Sequence, residues 1–309
     1  MRPRARSALV SVLVAVALAA TSVTALVLAR ARTASAAASD VVEIHSAHGA
    51  SFVPALQGNK PIFILALGSD ARPGQDIERQ RADSIHIIGI NPAMHRATIL
   101  GFPRDSWVYI PGVGTTKINT AMVVGGPSLM VRTLERLTGI HIDFWLLTSF
   151  SGLIGMVNGI GGLTVNVPTA MHDRYSGANF KRGTHHFWGA QALAFARDRH
   201  DFLQGDLTRS ANQGRLFLAA LSRLHGRFGQ DPATVFDWIA VGWQRLRTDL
   251  DVQTILNLAL TATQIPLSGV RNLVVPARSG VVGPADVVFI SASASSIYTD
   301  LRKDGLIGS

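Results

Sequence analysis

Three apolar stretches, PIFILALG at 61–68, SIHIIGI at 84–90 and RATILGF at 96–102, follow one another with only short polar segments between them. Each has the length of a strand and is rich in branched aliphatic residues, and glycines or Asn91-Pro92 interrupt the run, so the pattern predicts three consecutive β-strands. The first two are apolar at nearly every position, as strands buried on both faces are. In PSLMVRTLERLT, at 127–138, Met130, Leu134 and Leu137 recur at helical spacing, and Gly139 stops the helix. IDFWLLTSF then reads as a strand, SGLIGMVNGI as a short helix and LTVNVP as a strand with Leu163, Val165 and Val167 alternating. Strands separated by helices define an α/β layered fold rather than a β-sandwich. The expectation is a single α/β/α domain around a central mixed sheet, its last third mostly helical, with LVVP at 273–276 as a late strand. Asp206, Asp231 and Asp251 each precede an apolar-periodic stretch and suit N-caps, with Pro232 as a first helical residue.

The N-terminus reads MRPRAR, and after Ser7 comes an uncharged run from Ala8 to Ala29, long enough to cross a bilayer as a helix. Arg2, Arg4 and Arg6 favour a cytoplasmic start, a bias softened by Arg30 and Arg32. A cleaved signal peptide is the rival, because TASAAAS at 33–39 offers small residues, but a secretory apolar region is normally shorter. The reading is therefore an uncleaved anchor over 1–32, an Ala/Ser/Gly-rich tether over 33–60 and a folded domain over 61–309 outside the cytoplasm. With no cysteine in the chain, disulfides, thiolate metal sites and thiol nucleophiles are excluded. The net charge of +9 points to an anionic partner: nucleic acid, an anionic membrane or a phosphorylated substrate. A domain outside the cytoplasm demotes nucleic acid and leaves polyanions of the envelope, including lipid-linked phosphates.

The usual catalytic signatures are missing from the sequence. GTTK at 114–117 lacks P-loop spacing, there is no G-x-S-x-G elbow, and NGIGG at 158–162 does not fit G-x-G-x-x-G. His185 and His186, adjacent in an expected loop, match no zinc spacing and read as surface residues. What stands out is charge at the ends of predicted strands. Asp70 and Arg72 follow the first, Arg81 and Asp83 precede the second, and Arg104 and Asp105 follow the third. Strand ends of open α/β sheets are where ligands commonly bind. Lys117, Arg197, Arg199 and Arg209 add further cations. Any one of these alone is an ordinary solvated charge. If the helix before them ends near Phe195, Arg197 and Arg199 lie two apart in extended chain and project to one side, where guanidinium groups bind phosphate oxygens bidentately. Such a cluster suits pyrophosphate, and carboxylates beside it need a bridging cation, so Asp70 and Asp83 are candidate Mg²⁺ ligands.

With these residues assembled, the sequence resembles the LytR-CpsA-Psr family of envelope phosphotransferases, in order, over roughly Pro61 to Arg215. The matching segments are LGSDAR, RADSI, FPRDSWVYIPG, TKINTAMVVGG, LTGIHIDF, NGIGGLTVNVP, GAQALAFARDRH and GDLTR. The resemblance implies transfer of a phosphorylated glycopolymer from an undecaprenyl-pyrophosphate carrier to peptidoglycan, at the outer side of the cytoplasmic membrane. It assigns Mg²⁺ to Asp70 and Asp83, and pyrophosphate to Arg81, Arg104, Lys117, Arg197, Arg199 and Arg209. Asp105 and Asp206 fall within matching motifs, with orientation of an arginine weighed above assistance to the attacking hydroxyl. It further implies a long apolar pocket for the polyprenyl chain, which apolar residues at 129–167 and 216–260 would line, although they equally suit ordinary core. The sequence departs from the family at Asn158, usually aspartate, and at Asn212-Gln213, usually arginine-glutamine. Two other readings of the same charges are a noncatalytic, membrane-tethered polyanion-binding module and a polyprenyl pyrophosphatase.

Overall fold

Alternation along the two central strands builds the sheet outward from its middle. In β1 (Ile62–Ser69), Phe63, Leu65 and Leu67 enter one core and Ile62 and Ile64 enter another, as a pleated strand requires. β2 (Ala82–Asn91) sends Ile85 and Ile87 into the first core and Ile90 into the second. With β3 (Arg96–Gly101), β6 (Phe144–Ser149), β9 (Leu246–Thr248) and β10 (Val270–Val274), they form a six-stranded sheet in the order β10-β3-β2-β1-β6-β9. Pairing is antiparallel for β1–β2, β2–β3 and β6–β9 and parallel for β1–β6 and β3–β10, so the sheet is mixed, as expected. The computed structural model describes residues 60–202 and 205–308. The expected anchor over 1–32, and the expected tether up to residue 59, lie outside the described residues. Among the described residues no helix is long and apolar enough to cross a membrane.

Helices cover both faces. On one face α1 (Thr120–Thr138) and α7 (Ala294–Asp304) close the largest core, which includes Met130, Leu134, Trp145 and Leu301. On the other, α4 (Gly205–Phe228) packs on β2, β3 and β10, and α6 (Val252–Gln264) lays Leu258 against Ile62, Ile64 and Ile90. A smaller core, with Val157, Val165, Phe187, Phe195 and Leu216, joins α2 (Phe150–Gly159), the hairpin β7 (Leu163–Val167)–β8 (Gly183–Phe187), α3 (Gly189–Arg197) and α4. The layers are not equally tight. Phe236, Trp238, Ile239, Val241 and Trp243 of α5 (Thr234–Trp243), and Ile255, Leu256 and Leu258 of α6, are all only half-buried. The apolar residues expected to line a pocket thus divide: Leu129, Met130, Trp145 and Leu250 are solid core, whereas the half-buried residues of α5 and α6 are not.

Local chemistry explains where the elements differ from the sequence reading. α1 begins seven residues before the expected Pro127, with a break at Gly126 (φ 65°, ψ −161°) after which Pro127 restarts the helix. Gly139, at φ 68°, ends it with its N–H on the Glu135 carbonyl 2.7 Å away, as predicted. Asp251 is an N-cap, accepting from Thr254 N at 2.6 Å, but Asp206 lies inside the first turn of α4. Asp231 holds a turn, accepting from Ala233 N at 2.9 Å, and α5 starts after Pro232 rather than at it. His185 and His186 lie on β8 rather than in a loop. Two hairpins escaped the sequence reading, β4 (Trp107–Ile110)–β5 (Gly114–Lys117), whose four-residue strands carry too little periodicity, and β11 (Ala277–Val282)–β12 (Ala285–Ile290). The Gly126 conformation belongs to a region that essentially only glycine occupies, so Gly126→Ala is expected to lower stability by about 1–3 kcal/mol in denaturant unfolding.

Candidate active site

Register places the predicted charges at one edge of the sheet. Ser69 pairs with Ala82, so Asp70 and Arg81 meet just beyond them, with Asp70 N donating to Arg81 O at 3.0 Å. Gly101 pairs with His86, which returns the segment after β3 toward the start of β2, where the Arg104 guanidinium contacts the Asp83 carboxylate. Ser69 also pairs with Ser149 of the parallel β6, which brings Phe150 to the same edge. Asp105 lies 3.9 Å from Arg104 Nε and 3.5 Å from Lys117 Nζ, and accepts from Asn119 Nδ2 at 3.4 Å. From the facing helix, Asp206 Oδ1 is 3.0 Å from Arg209 Nη2 and 3.9 Å from Arg199 Nη1.

These charges perturb one another. Burial pushes the Asp70 carboxyl up, and the neighbouring Asp83 charge pushes it further, against Arg104 and Arg81. Burial would lower Arg104, but Asp83 first, then Asp105 and Asp206, hold it firmly protonated. Asp206 is raised by burial, with Arg209 opposing, and Arg209, only 4% exposed, is lowered by burial against the pull of Asp206. Arg104 Nε and Arg209 Nη2 are buried with no hydrogen-bond partner, the latter because its ion pair with Asp206 is poorly aligned. Spare buried donors among ionised groups are what an incoming oxyanion would satisfy.

The two flanking arginines are arranged differently from the sequence reading. The helix does not stop near Phe195 but continues to Arg197, because AFAR consists largely of good helix formers, and Asp198, extended at φ −62° and ψ 127°, ends it. Arg197 therefore leaves the last helical turn and sits 4.9 Å from the centre of the Phe150 ring, which Arg72 also approaches at 5.8 Å. Arg199 leaves extended chain and turns to Asp206. The pair reaches the site through different partners instead of side by side.

Of the supporting residues, His86 gave no signal in the sequence, whereas Asn158 and Asn212-Gln213 stood out only as departures from the family pattern. His86, fully buried in β2, faces the Ser210 carbonyl at 3.1 Å, so Nε2 carries the proton and Nδ1 accepts from the Ser84 hydroxyl at 3.2 Å. Burial pushes its pKa down to about 4. Gln213 Nε2 donates to Asp83 O at 3.0 Å and to Ala196 O at 3.2 Å, tying α4 to both β2 and the end of α3. Asn212 is fully buried and accepts from Arg215 Nη1 at 2.8 Å, so a guanidinium does approach the position where an arginine is missing. Asn158 lies apart from the charges and accepts from Gly189 N at 2.8 Å, joining α2 to α3.

The fold and the site together are an α/β/α domain with carboxylates and guanidinium groups interleaved at one sheet edge. The profile of the LytR_cpsA_psr family matches residues 23–303, and the chain belongs to that family. It is 38% identical over 170 residues to the probable cell wall biosynthesis protein LcpB of Corynebacterium glutamicum, covering 51% of this chain and 41% of that protein. It is 32% identical over 166 residues to the polyisoprenyl-teichoic acid-peptidoglycan teichoic acid transferase TagU of Bacillus mycoides, covering 53% of each. The match thus spans about half of these curated relatives or less. The fold is similar to the crystal structure of TagV from B. subtilis, with a TM-score of 0.70 and 25% identity over 81% of this chain and 98% of that one.

One buried acid makes a pH-dependent prediction. Asp198 is 0% exposed and neither carboxylate oxygen has a hydrogen-bond partner. Burial first, then the Asp201 and Asp173 charges, push its pKa up from 3.8 to about 6. A raised acid contributes stability that is present below its unfolded pKa and lost as pH rises through the folded value, here between about 4 and 6. His86 titrates with the opposite sign, so the variant is compared with its parent at each pH. Asp198→Asn should match the parent in melting temperature near pH 4 and exceed it at pH 8, measured by calorimetry.

Proposed function

We propose that this protein is a phosphotransferase that joins a glycopolymer, carried on undecaprenyl pyrophosphate, to a hydroxyl of peptidoglycan during cell wall assembly. The observation that carries this reading is the Asp83–Arg104 contact at the sheet edge, with Asp70, Asp105, Lys117, Asp206 and Arg209 gathered around it and buried donors left unpaired. The names of the relatives agree with it. The half-buried apolar layer of α5 and α6 supports a polyprenyl carrier, because residues such as Trp238 and Leu256 remain available to a hydrocarbon chain. The extracytoplasmic placement, and anchoring by the run from Ala8 to Ala29, are part of the same proposal.

In this reading Arg81, Arg104, Lys117, Arg197, Arg199 and Arg209 bind the pyrophosphate and stabilise charge as it grows on the bridging and leaving oxygens while the acceptor hydroxyl attacks in line. Asp105, already engaged by Arg104, Lys117 and Asn119, orients those cations. Asp206 does the same for Arg209 and Arg199. Asp70 and Asp83 fit a divalent cation, since the Asp83 charge raises the Asp70 carboxyl and a hard ion is commonly held by one or two carboxylates together with phosphate oxygens. Mg²⁺ bound there would supply further neutralisation of the phosphate charge.

The test is the full-length protein in detergent with a short lipid-linked donor, Mg²⁺ and peptidoglycan fragments. A joined product with release of polyprenyl phosphate is expected. Free glycosyl phosphate would mark a pyrophosphatase instead, and binding without turnover a polyanion-binding module. Arg199→Ala, a partly exposed position, should lower the transfer rate by at least about 100-fold with little change in melting temperature. Chelation should abolish transfer, and added Mg²⁺ should restore it.

A further inference from the structure

Beside the charged edge lies a groove of about 330 Å³ whose lining includes Trp107, Tyr109, Phe289, Ser291, Ser295 and Tyr298. It is formed where β4 meets β12, the C-terminal end of α1 and the start of α7, and it shares no residue with the charged cluster. It is nevertheless continuous with that cluster through β4. Trp107 pairs directly with Lys117, so the two side chains share one face of the hairpin, with Cβ atoms about 5 Å apart as in any antiparallel pair. Lys117 Nζ is in turn 3.5 Å from Asp105. Tyr109 follows on the same face, roughly 7 Å further along the strand. The order along this face is cation, indole, phenol.

The chemistry of the groove is amphipathic. Tyr109 is 50% exposed, with the Arg136 guanidinium 4.8 Å from its ring centre. Ser295 donates its hydroxyl to Ala292 O at 2.8 Å and keeps its lone pairs for a further donor. The Tyr298 ring lines the groove, and its hydroxyl is buried with no hydrogen-bond partner. Concave sites of this size, apolar with a few polar groups, are typical of small-ligand binding. Aromatic faces flanked by hydroxyls match a pyranose ring, which presents C–H groups on its faces and hydroxyls around its rim. The charged groups at its border are all cations, Arg136 at the Tyr109 ring, Arg278 5.2 Å from the centre of the Phe289 ring and Lys117 beside Trp107, so the floor itself is left to aromatic faces and hydroxyls.

Resting on the phosphotransfer reading, we propose that this groove is a saccharide subsite for the donor, in which Trp107 and Tyr109 receive the sugars that immediately follow the phosphate held at Lys117 and Arg104. The groove would then distinguish a loaded carrier from a bare one and hold the first sugars of the polymer in a fixed direction from the reacting phosphate.

The experiment compares binding of two probes to the detergent-solubilised full chain: polyprenyl pyrophosphate bearing an N-acetylhexosamine disaccharide, and polyprenyl pyrophosphate alone. The parent should bind the glycosylated probe more tightly. Trp107→Ala should remove about tenfold of that affinity and leave the bare probe unchanged, and Trp107→Phe should restore most of the loss. If Trp107→Ala fails to fold, Tyr109→Ala, at a half-exposed position, supplies the same comparison. Equal weakening of both probes in a folded variant, or of neither, would overturn the saccharide subsite. So would a loss confined to peptidoglycan fragments, which would assign the groove to the acceptor. Failure of the parent to bind the bare probe is a different result: it would overturn the phosphate site itself, and the subsite with it.

Discussion

Three carboxylates at one sheet edge, Asp70, Asp83 and Asp105, and a fourth on the facing helix, Asp206, meet around the guanidinium group of Arg104. That group contacts Asp83, lies within 4 Å of Asp105 at its Nε and feels the charge of Asp206 across the gap to α4. Removing it would take from Asp83 the cation it contacts, a larger loss than the pair itself contributes. Arg104 Nε and Arg209 Nη2 make no hydrogen bond in the interior, although the latter is ion-paired with Asp206. On the proposed reading, phosphate oxygens would satisfy them.

The scaffold that holds this cluster is specified twice. Sheet register aligns the ends of β1, β3 and β6 with the start of β2, and the helix α4 is clamped over them by His86 and Gln213. Both clamps use a buried polar side chain whose partner is a backbone carbonyl. Because a carbonyl only accepts, it fixes the tautomer of His86 and the amide orientation of Gln213, and therefore the depth at which Arg209 and Asp206 sit.

Much of this was legible in the sequence, for physical reasons that also mark where legibility stops. The central strands announced themselves because burial on both faces demands near-continuous apolar sequence, and the helix over 127–138 because its stripe and its terminal glycine agree. The hairpin from Trp107 to Lys117 did not, since four-residue strands hold too few alternations to be told from loop. Charge at strand ends identified Asp70, Asp83, Arg104, Asp105 and Lys117 correctly as neighbours. The helix end was misjudged by two residues, and that was enough to separate the directions of Arg197 and Arg199. His86 gave no signal, and Gln213 stood out only as part of a departure from the family pattern; only the tertiary approach of α4 gives either of them a task. A basic residue three positions after Asn212 was likewise uninterpretable until Arg215 was seen to fold back onto it.

The loosely closed layer of α5 and α6 sets the character of the face that the proposed function gives to a lipid carrier. A rigid, fully dovetailed wall would select one hydrocarbon by shape. Tryptophan, leucine and isoleucine side chains that are only half committed to their own neighbours exert weak, directionless attraction over a broad area. On the proposed reading, prenyl tails of different length would be accommodated by sliding and local repacking, and discrimination among substrates would fall to the polar end.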